Sequence, residues 1–345
     1  MQEKRVQYFD YLRVIATFAV MFLHLSAYFW STADVNSFEW GVYTAYDGLV
    51  RFAVPIFVMI SGALFLPRDI PIKKLYSKYI LRMLTAFLIW STVYAVVAGG
   101  GIKTVILNVL KGHYHMWFVL MIIGLYMCIP LIKPIVRDMK LVKYFLVLGV
   151  IFTLVIPEIV QLTHDFAPAS IYTGISALNS EVKNMNMHLV VGFVGYFIGG
   201  YYLSETDFSR KQRIAIYIAG LIGVASTILL TYAATIKSQT AVKYYFGNYT
   251  VNVMLEAVAI FVFFKYHNFK SDKIYKFILR LSKYSFGAYL VHPLILEILD
   301  KSFGINARIF NPLVSIPVLA IIVFTISTII SLIVSYIPVL KKYAV

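Results

Sequence analysis

The chain is 345 residues long, 60% of them hydrophobic and only 14% charged, and its mean hydropathy is +0.79. Soluble domains carry about 45–50% apolar and about 25% charged residues. The departure points into a lipid bilayer and excludes secreted, disordered, collagen-like and disulfide-built chains. Net charge is +15, from 31 basic and 16 acidic residues; in so apolar a chain this reads as membrane orientation rather than nucleic-acid binding. The one cysteine, Cys128, has no partner for an internal disulfide.

A spanning helix needs about 20 mostly apolar residues. Ten stretches qualify in chain order: 6–30, 48–66, 79–98, 116–136, 141–160, 187–203, 213–234, 251–267, 284–300 and 313–337. The connections are short, and no repeat or low-complexity tract interrupts them. The expectation is an all-α polytopic membrane protein, one domain over residues 1–345 with no soluble appendage. Lys4 and Arg5 before the first span imitate a signal peptide. Asp10 and Arg13 within that span, and the lack of a small-residue cleavage site, argue that it is retained.

With the N-terminus placed in the cytoplasm, 22 of the 31 basic residues fall on the cytoplasmic side and 7 outside, Arg13 and Arg51 lying within spans. The bias follows the positive-inside rule. It predicts a bundle of about ten transmembrane helices in the plasma or inner membrane, with both termini cytoplasmic.

Ionisable side chains within a bilayer cost at least about 2.5–3.5 kcal/mol each. Here they fall in two layers. Asp10, Arg13 and Arg82 lie toward the cytoplasm; His24, Arg51, Glu256 and Glu297 lie toward the outer face, with His113 and His115 just outside the fourth span. Arg13 and His24 are eleven residues apart, three helical turns plus about 20°, so they share a face about 16 Å apart along the axis. Asp10 sits one turn before Arg13 and can pair with it. One reading of this stripe is snorkelling of Asp10 and Arg13 plus a hydrogen-bonded core histidine. The other is a polar path with His24 as a general base near its far end. Arg51 and Arg82 can likewise snorkel. Glu256 opens a helix whose neighbours can cap it, and Glu297 fits a surface role equally well. In GHYHMWF, Trp117 suits an aromatic-belt anchor. His113 and His115 lack a third metal ligand nearby, so no metal is expected. Phosphate-loop, GxSxG and CxxC motifs are absent from the sequence.

Four segments together resemble the integral-membrane acyltransferase family 3: YFDYLRVIATFAVMFLH with Arg13 and His24, RFAVPIFVMISG with Pro55, Ser61 and Gly62, HMWFVLMIIGLYMCIPLI, and YSFGAYLVHPLI. They occur in the expected order from residue 8 to residue 295. The resemblance implies transfer of an acyl group, usually acetyl, from cytosolic acyl-CoA to a hydroxyl on a cell-envelope glycan or lipid-linked sugar. By the same resemblance His24 is the essential histidine, as general base or as acyl carrier, and Arg13 is its companion in donor handling.

CoA phosphates need a basic mouth, which Arg13, Lys78 and Arg82, with Asp10 beside them, can supply. Arg51, His113, His115, Trp117 and Glu297 are candidates on the acceptor or oxyanion side. The segment 158–187, with His164, Asp165 and Glu181, reads as a long outer loop, either shaping an acceptor site or simply solvated. Unlike one branch of the family, the chain carries no C-terminal SGNH-type domain, so the membrane part must acylate its acceptor or hand the group to a separate protein. Acyl-CoA is the expected donor substrate, and no tightly bound cofactor is expected. Partners are the glycan or lipid-linked sugar and membrane lipid, with room for a homo-oligomer or a partner acyltransferase. Two other readings compete. A polysaccharide or small-molecule transporter would favour broken spans paired between two halves, and no matching halves are evident. A non-catalytic ligand-binding module would be expected to have lost His24.

Overall fold

Residues 6–187, 190 and 192–343 are described by a computed structural model, and every regular element among them is helical. Lys4 and Arg5 lie outside the described residues, as do positions 188, 189 and 191 of the sixth stretch. In chain order the helices are α1 (Gln7–Ala27), α2 (Phe38–Leu49), α3 (Ala53–Phe65), α4 (Ile72–Ala98) and α5 (Ile102–Lys111). Then come α6 (Trp117–Val136), α7 (Met139–Phe166), α8 (Ala169–Lys183), α9 (Phe193–Glu205) and α10 (Arg210–Ser238). The last are α11 (Val251–Tyr266), α12 (Asp272–Phe303), α13 (Pro312–Val334) and the short α14 (Pro338–Tyr343).

Among the described residues, 8 helical runs are long and apolar enough to cross a membrane. They are α1, α2 with α3, α4, α5 with α6, α7, α10, the run ending in α11, and α13. The sixth and ninth predicted stretches do not join them. α9 has only 13 residues, about 20 Å of helix, against a hydrocarbon core of about 30 Å. α12 is ample at 32 residues but carries Lys283, His292, Glu297 and Asp300 along its length.

Two boundaries differ from the sequence expectation. The second stretch starts ten residues earlier, at Phe38, because the Ser37 hydroxyl accepts from the Trp40 N–H at 3.1 Å and caps α2. It then breaks at Val50–Phe52, between α2 and α3. The segment expected as an outer loop is helical: α7 continues to Phe166, and α8 follows after Ala167 and Pro168. Two helices carry π-helical turns, at Leu75–Ile80 in α4 and Val150–Val155 in α7.

The chain divides into two compact units. The first comprises Met1–Met21, Arg68–Lys133 and Phe269–Val345; the second comprises Phe22–Pro67 and Pro134–Asn268. In the first, Met21 of α1 packs with Ala288 and Ile295 of α12 and Val323 of α13. Gly112 turns the chain from α5 toward α6 with φ of 72°, and a Cβ there would meet the Phe87 ring at 2.7 Å.

In the second unit, small residues bring helices into backbone contact, as lipid-embedded packing favours. A Cβ on Gly62 of α3 would lie 1.7 Å from the Phe197 carbonyl oxygen of α9, and one on Gly200 would lie 2.0 Å from the Met59 oxygen. Gly223 of α10 meets the Asn252 carbonyl oxygen of α11 in the same way, and Gly220 meets the Ala259 methyl group.

Candidate active site

Helix α1 is unbroken from Gln7 to Ala27, so the predicted stripe exists as one helical face. Asp10 is fully buried and Arg13 partly so. Asp10 Oδ1 accepts from Arg13 Nη1 at 3.2 Å and from the Ser282 hydroxyl at 2.7 Å, while Oδ2 accepts from the Tyr275 hydroxyl at 3.2 Å. Ser282 and Tyr275 are contributed by α12, and Tyr11 stacks on Phe269 with ring centroids 3.7 Å apart. Three donors on one carboxylate satisfy a charge that the interior would otherwise reject. The Thr17 hydroxyl donates to the Arg13 carbonyl at 2.7 Å, one turn along. His24 is half-buried in the last turn of α1. Lys78 and Arg82 are exposed on α4, where the Lys78 ammonium lies 5.6 Å from the centre of the Tyr79 ring.

His113, His115 and Glu297, three of the acceptor-side candidates, come together. The turn Tyr114–Met116 after Gly112 sets the two imidazoles face to edge, with Nδ1 atoms 3.0 Å apart. His113 Nε2 lies 2.9 Å from Glu297 Oε1 on α12, and the Lys301 ammonium donates to Glu297 Oε2 at 2.8 Å. The Tyr94 ring of α4 stacks on His113 at 4.1 Å. Trp117 does not join this group and is 44% exposed at the start of α6.

Pro293 explains the helix beneath these residues. It has no N–H for the Tyr289 carbonyl one turn back, and His292 Nδ1 takes that oxygen at 2.6 Å instead. The Tyr94 hydroxyl inserts into the same turn, donating to the Leu290 carbonyl at 2.8 Å and accepting from the Leu294 N–H at 3.2 Å. Tyr289 in turn donates its hydroxyl to the His115 carbonyl.

Arg51 belongs to a different cluster, in the second unit. Its guanidinium pairs with the buried Asp47 carboxylate one turn back, donates to the Phe246 carbonyl at 3.0 Å and lies over the Phe246 ring at 4.3 Å. The expected capping of Glu256 is not found. Its buried carboxylate faces Arg51, Asp47 and the Phe52 N–H without closing a hydrogen bond of ordinary geometry. Asn252, one turn before it, donates to Thr227 Oγ1 at 2.6 Å and to the Tyr245 carbonyl at 2.7 Å. Arg51, committed to Asp47 and Phe246, is therefore a structural cation more readily than an oxyanion donor.

In the segment expected as a loop, Asp165 accepts from the Tyr245 hydroxyl at 2.8 Å and Glu158 is buried beside the Val251 N–H. An apolar cavity of about 310 Å³ in the second unit is lined by Met59, Leu154, Tyr196, Met254 and Val258 among others. No acidic, basic or histidine side chain among the described residues lines it. Among the described residues no group of three or more His, Cys, Asp or Glu side chains is placed to hold a metal.

Sequence reasoning passed over Asp47, Tyr94, Tyr275, Ser282 and His292. Asp47 and His292 left a signal, an acid four residues before Arg51 and a histidine inside an apolar run. The hydroxyl residues left none, because their partners are distant in sequence.

Residues 6–338 match a protein-family model described as an acyltransferase domain. No curated protein and no solved structure matches the chain.

Proposed function

Because the chain belongs to acyltransferase family 3 over residues 6–338, a family of membrane acyltransferases, we propose that it transfers an acyl group, acetyl first among them, from cytosolic acyl-CoA to a hydroxyl of a cell-envelope glycan or lipid-linked sugar. The observation that carries this reading is the α1 stripe: a buried Asp10 carboxylate that accepts from three donors, Arg13 among them, on the same unbroken helix as His24. With both termini in the cytoplasm, Arg13 faces the donor side, and exposed Lys78 and Arg82 add charge for the CoA phosphates. The slender pantetheine arm then extends along α1 toward His24, about 16 Å further on.

His24 either removes the proton of the acceptor hydroxyl as it attacks the thioester, or takes the acyl group and passes it on. In both cases the thiolate of CoA leaves and recovers a proton. The Asp10 carboxylate holds Arg13 in place, its own remaining valences bound to α12. His113, His115 and Glu297, which the fold brings together, are assigned to the acceptor side.

The test is transfer of label from radiolabelled acetyl-CoA by purified protein, with an envelope lipid and glycan extract as acceptor. Wild type is expected to label the extract and His24→Ala to lose labelling while keeping its melting temperature. Equal labelling by both proteins would remove His24 from the chemistry.

A further inference from the structure

The apolar cavity of the second unit has the proportions of a slot. Helix α9 and its N-cap line it with Gly192, Gly195, Tyr196, Gly199, Tyr202 and Leu203. They recur every third or fourth residue, so they form one face that runs for about 16 Å. Spread over that length, a volume of about 310 Å³ leaves a cross-section of roughly 20 Å², the width of one unbranched hydrocarbon chain. The volume is about twice that of a 150 Å³ cavity that takes benzene, which gives room for about a dozen carbons. Glycine keeps the slot open. A Cβ on Gly195 would meet nothing within 4 Å and one on Gly199 only the Leu146 Cδ2 at 3.8 Å, whereas Gly200 next to them is pressed against the Met59 backbone. Gly195 and Gly199 thus answer no close helix contact, and each weakens the helix it sits in. On α7 the wall is Val150, Thr153 and Leu154, all within the π-helical turn. The polar atoms of the wall are bonded elsewhere: the Thr153 hydroxyl donates to the Val190 carbonyl at 3.3 Å and the Tyr196 hydroxyl to the Asn248 carbonyl at 2.7 Å. A sugar or nucleotide in the slot would leave its own polar groups unpaired.

One end of the slot adjoins a cation. Phe208 and Ile216 line the cavity there, and Arg213 lies one helical turn before Ile216 on α10. Its guanidinium rests over the Tyr266 ring at 4.4 Å, and the Tyr266 hydroxyl accepts from the Phe208 N–H. Among the described residues no carboxylate pairs with Arg213, and its buried Nε has no hydrogen-bond partner. The neighbouring Lys265 ammonium is taken up by the carbonyls of Leu203, Ser204 and Thr206. Helix α10 has 29 residues, about 43 Å of length against a hydrocarbon core of about 30 Å. Centred in a bilayer, it puts its first turn, Arg213 included, at the depth of the headgroups and Ile216 beneath them. We propose that the second unit binds one phospholipid, with a single acyl chain in the slot along α9 and the phosphate paired with Arg213. This site is separate from the acyl transfer proposed above and does not depend on it.

The probe is phosphatidylglycerol with a photoactivatable diazirine in one acyl chain, offered to the full chain in detergent micelles, with cross-linked peptides read by mass spectrometry. In wild type the label is expected on the walls of the slot, over 146–154 and 192–203, and not on the exposed face of α10 at Leu221 and Leu229. Gly195→Leu, whose side chain grows into the slot, is expected to melt no lower than wild type and to reduce that label at least about tenfold. Arg213→Gln is expected to reduce it about fivefold, the weight of one cation at a lipid surface. A diacylglycerol with the same diazirine, which lacks the phosphate, is expected to label both proteins equally. Label as strong on α10 as in the slot, or slot label unaffected by Gly195→Leu, would overturn the proposal. Equal labelling of wild type and Arg213→Gln by phosphatidylglycerol would overturn the phosphate contact. If Gly195→Leu does not fold, competition in wild type decides. Excess unlabelled phosphatidylglycerol is expected to clear the slot label, and an isoprenoid phosphate that clears it at lower concentration would overturn a phospholipid as the occupant.

Discussion

Alanine at Gly62 or Gly200 is expected to damage the protein far more than alanine at most other helical glycines. The added Cβ would lie 1.7 Å from the Phe197 oxygen in one case and 2.0 Å from the Met59 oxygen in the other. Both obstacles are backbone, so no side chain can swing aside. Reaching even a tight carbon–oxygen contact requires α3 and α9 to separate by about 1.5 Å, a gap that forfeits more than half of the dispersion energy of the facing atoms. Overpacking costs about 1–3 kcal/mol, and a rigid obstacle puts these sites at the top of that range. Gly124 of α6 and Gly174 of α8 serve as controls, because a Cβ there meets nothing within 4 Å; alanine should stabilise them by up to about 1 kcal/mol through helix propensity alone. Tryptophan fluorescence during thermal unfolding in detergent resolves the difference, at about 2–4 °C per kcal/mol for domains of this size. Gly62→Ala and Gly200→Ala should each melt about 6–12 °C below wild type. The double variant should lose less than the sum, since the first substitution already parts the helices. Melting of Gly62→Ala and Gly200→Ala alongside the Gly124 and Gly174 controls would refute the close-packing argument.

Asp47→Asn should cost about 3–5 kcal/mol by leaving the Arg51 guanidinium buried without its carboxylate, whereas Glu256→Gln, which removes the carboxylate lacking a hydrogen bond, should cost little; equal melting of the two variants would contradict this. Lys78→Ala with Arg82→Ala should raise KM for acyl-CoA and flatten its dependence on ionic strength, because exposed charges act through a screened field. A salt dependence identical to wild type would remove these two residues from donor capture.

The helical runs were legible because apolar stretches of spanning length leave few alternatives. Legibility failed where polarity and burial part company. α2 holds Glu39 and Asp47, so hydropathy starts the second span at residue 48; the Asp47–Arg51 pair and the Ser37 cap are what carry the helix back to Phe38. The Ser-, Thr- and Asn-rich α8 reads as a loop by composition. α12 is polar at both ends and buried through its middle, from Ser285 to Ile295, so neither a spanning nor a surface pattern describes it. In the candidate site, the α1 stripe followed from helical periodicity alone. The meeting of His113 with Glu297 did not, since 184 residues separate them. Glu297 was singled out as an intramembrane acid without its partner, and Tyr94 was invisible because a tyrosine in an aromatic-rich chain carries no mark of its own.

The π-helical turn at Leu75–Ile80 has a consequence for how this chain can vary in length. Such a turn accommodates one residue more than an α-helix would over the same rise. Deleting a single residue there restores regular α geometry and leaves the residues on either side in phase. Lys73 and Lys74 would keep their side of α4, and Arg82, after the turn, its own. The same deletion in a regular stretch would turn everything before it by about 100° around the axis. The turn is thus a place where this helix can change length without moving its cations.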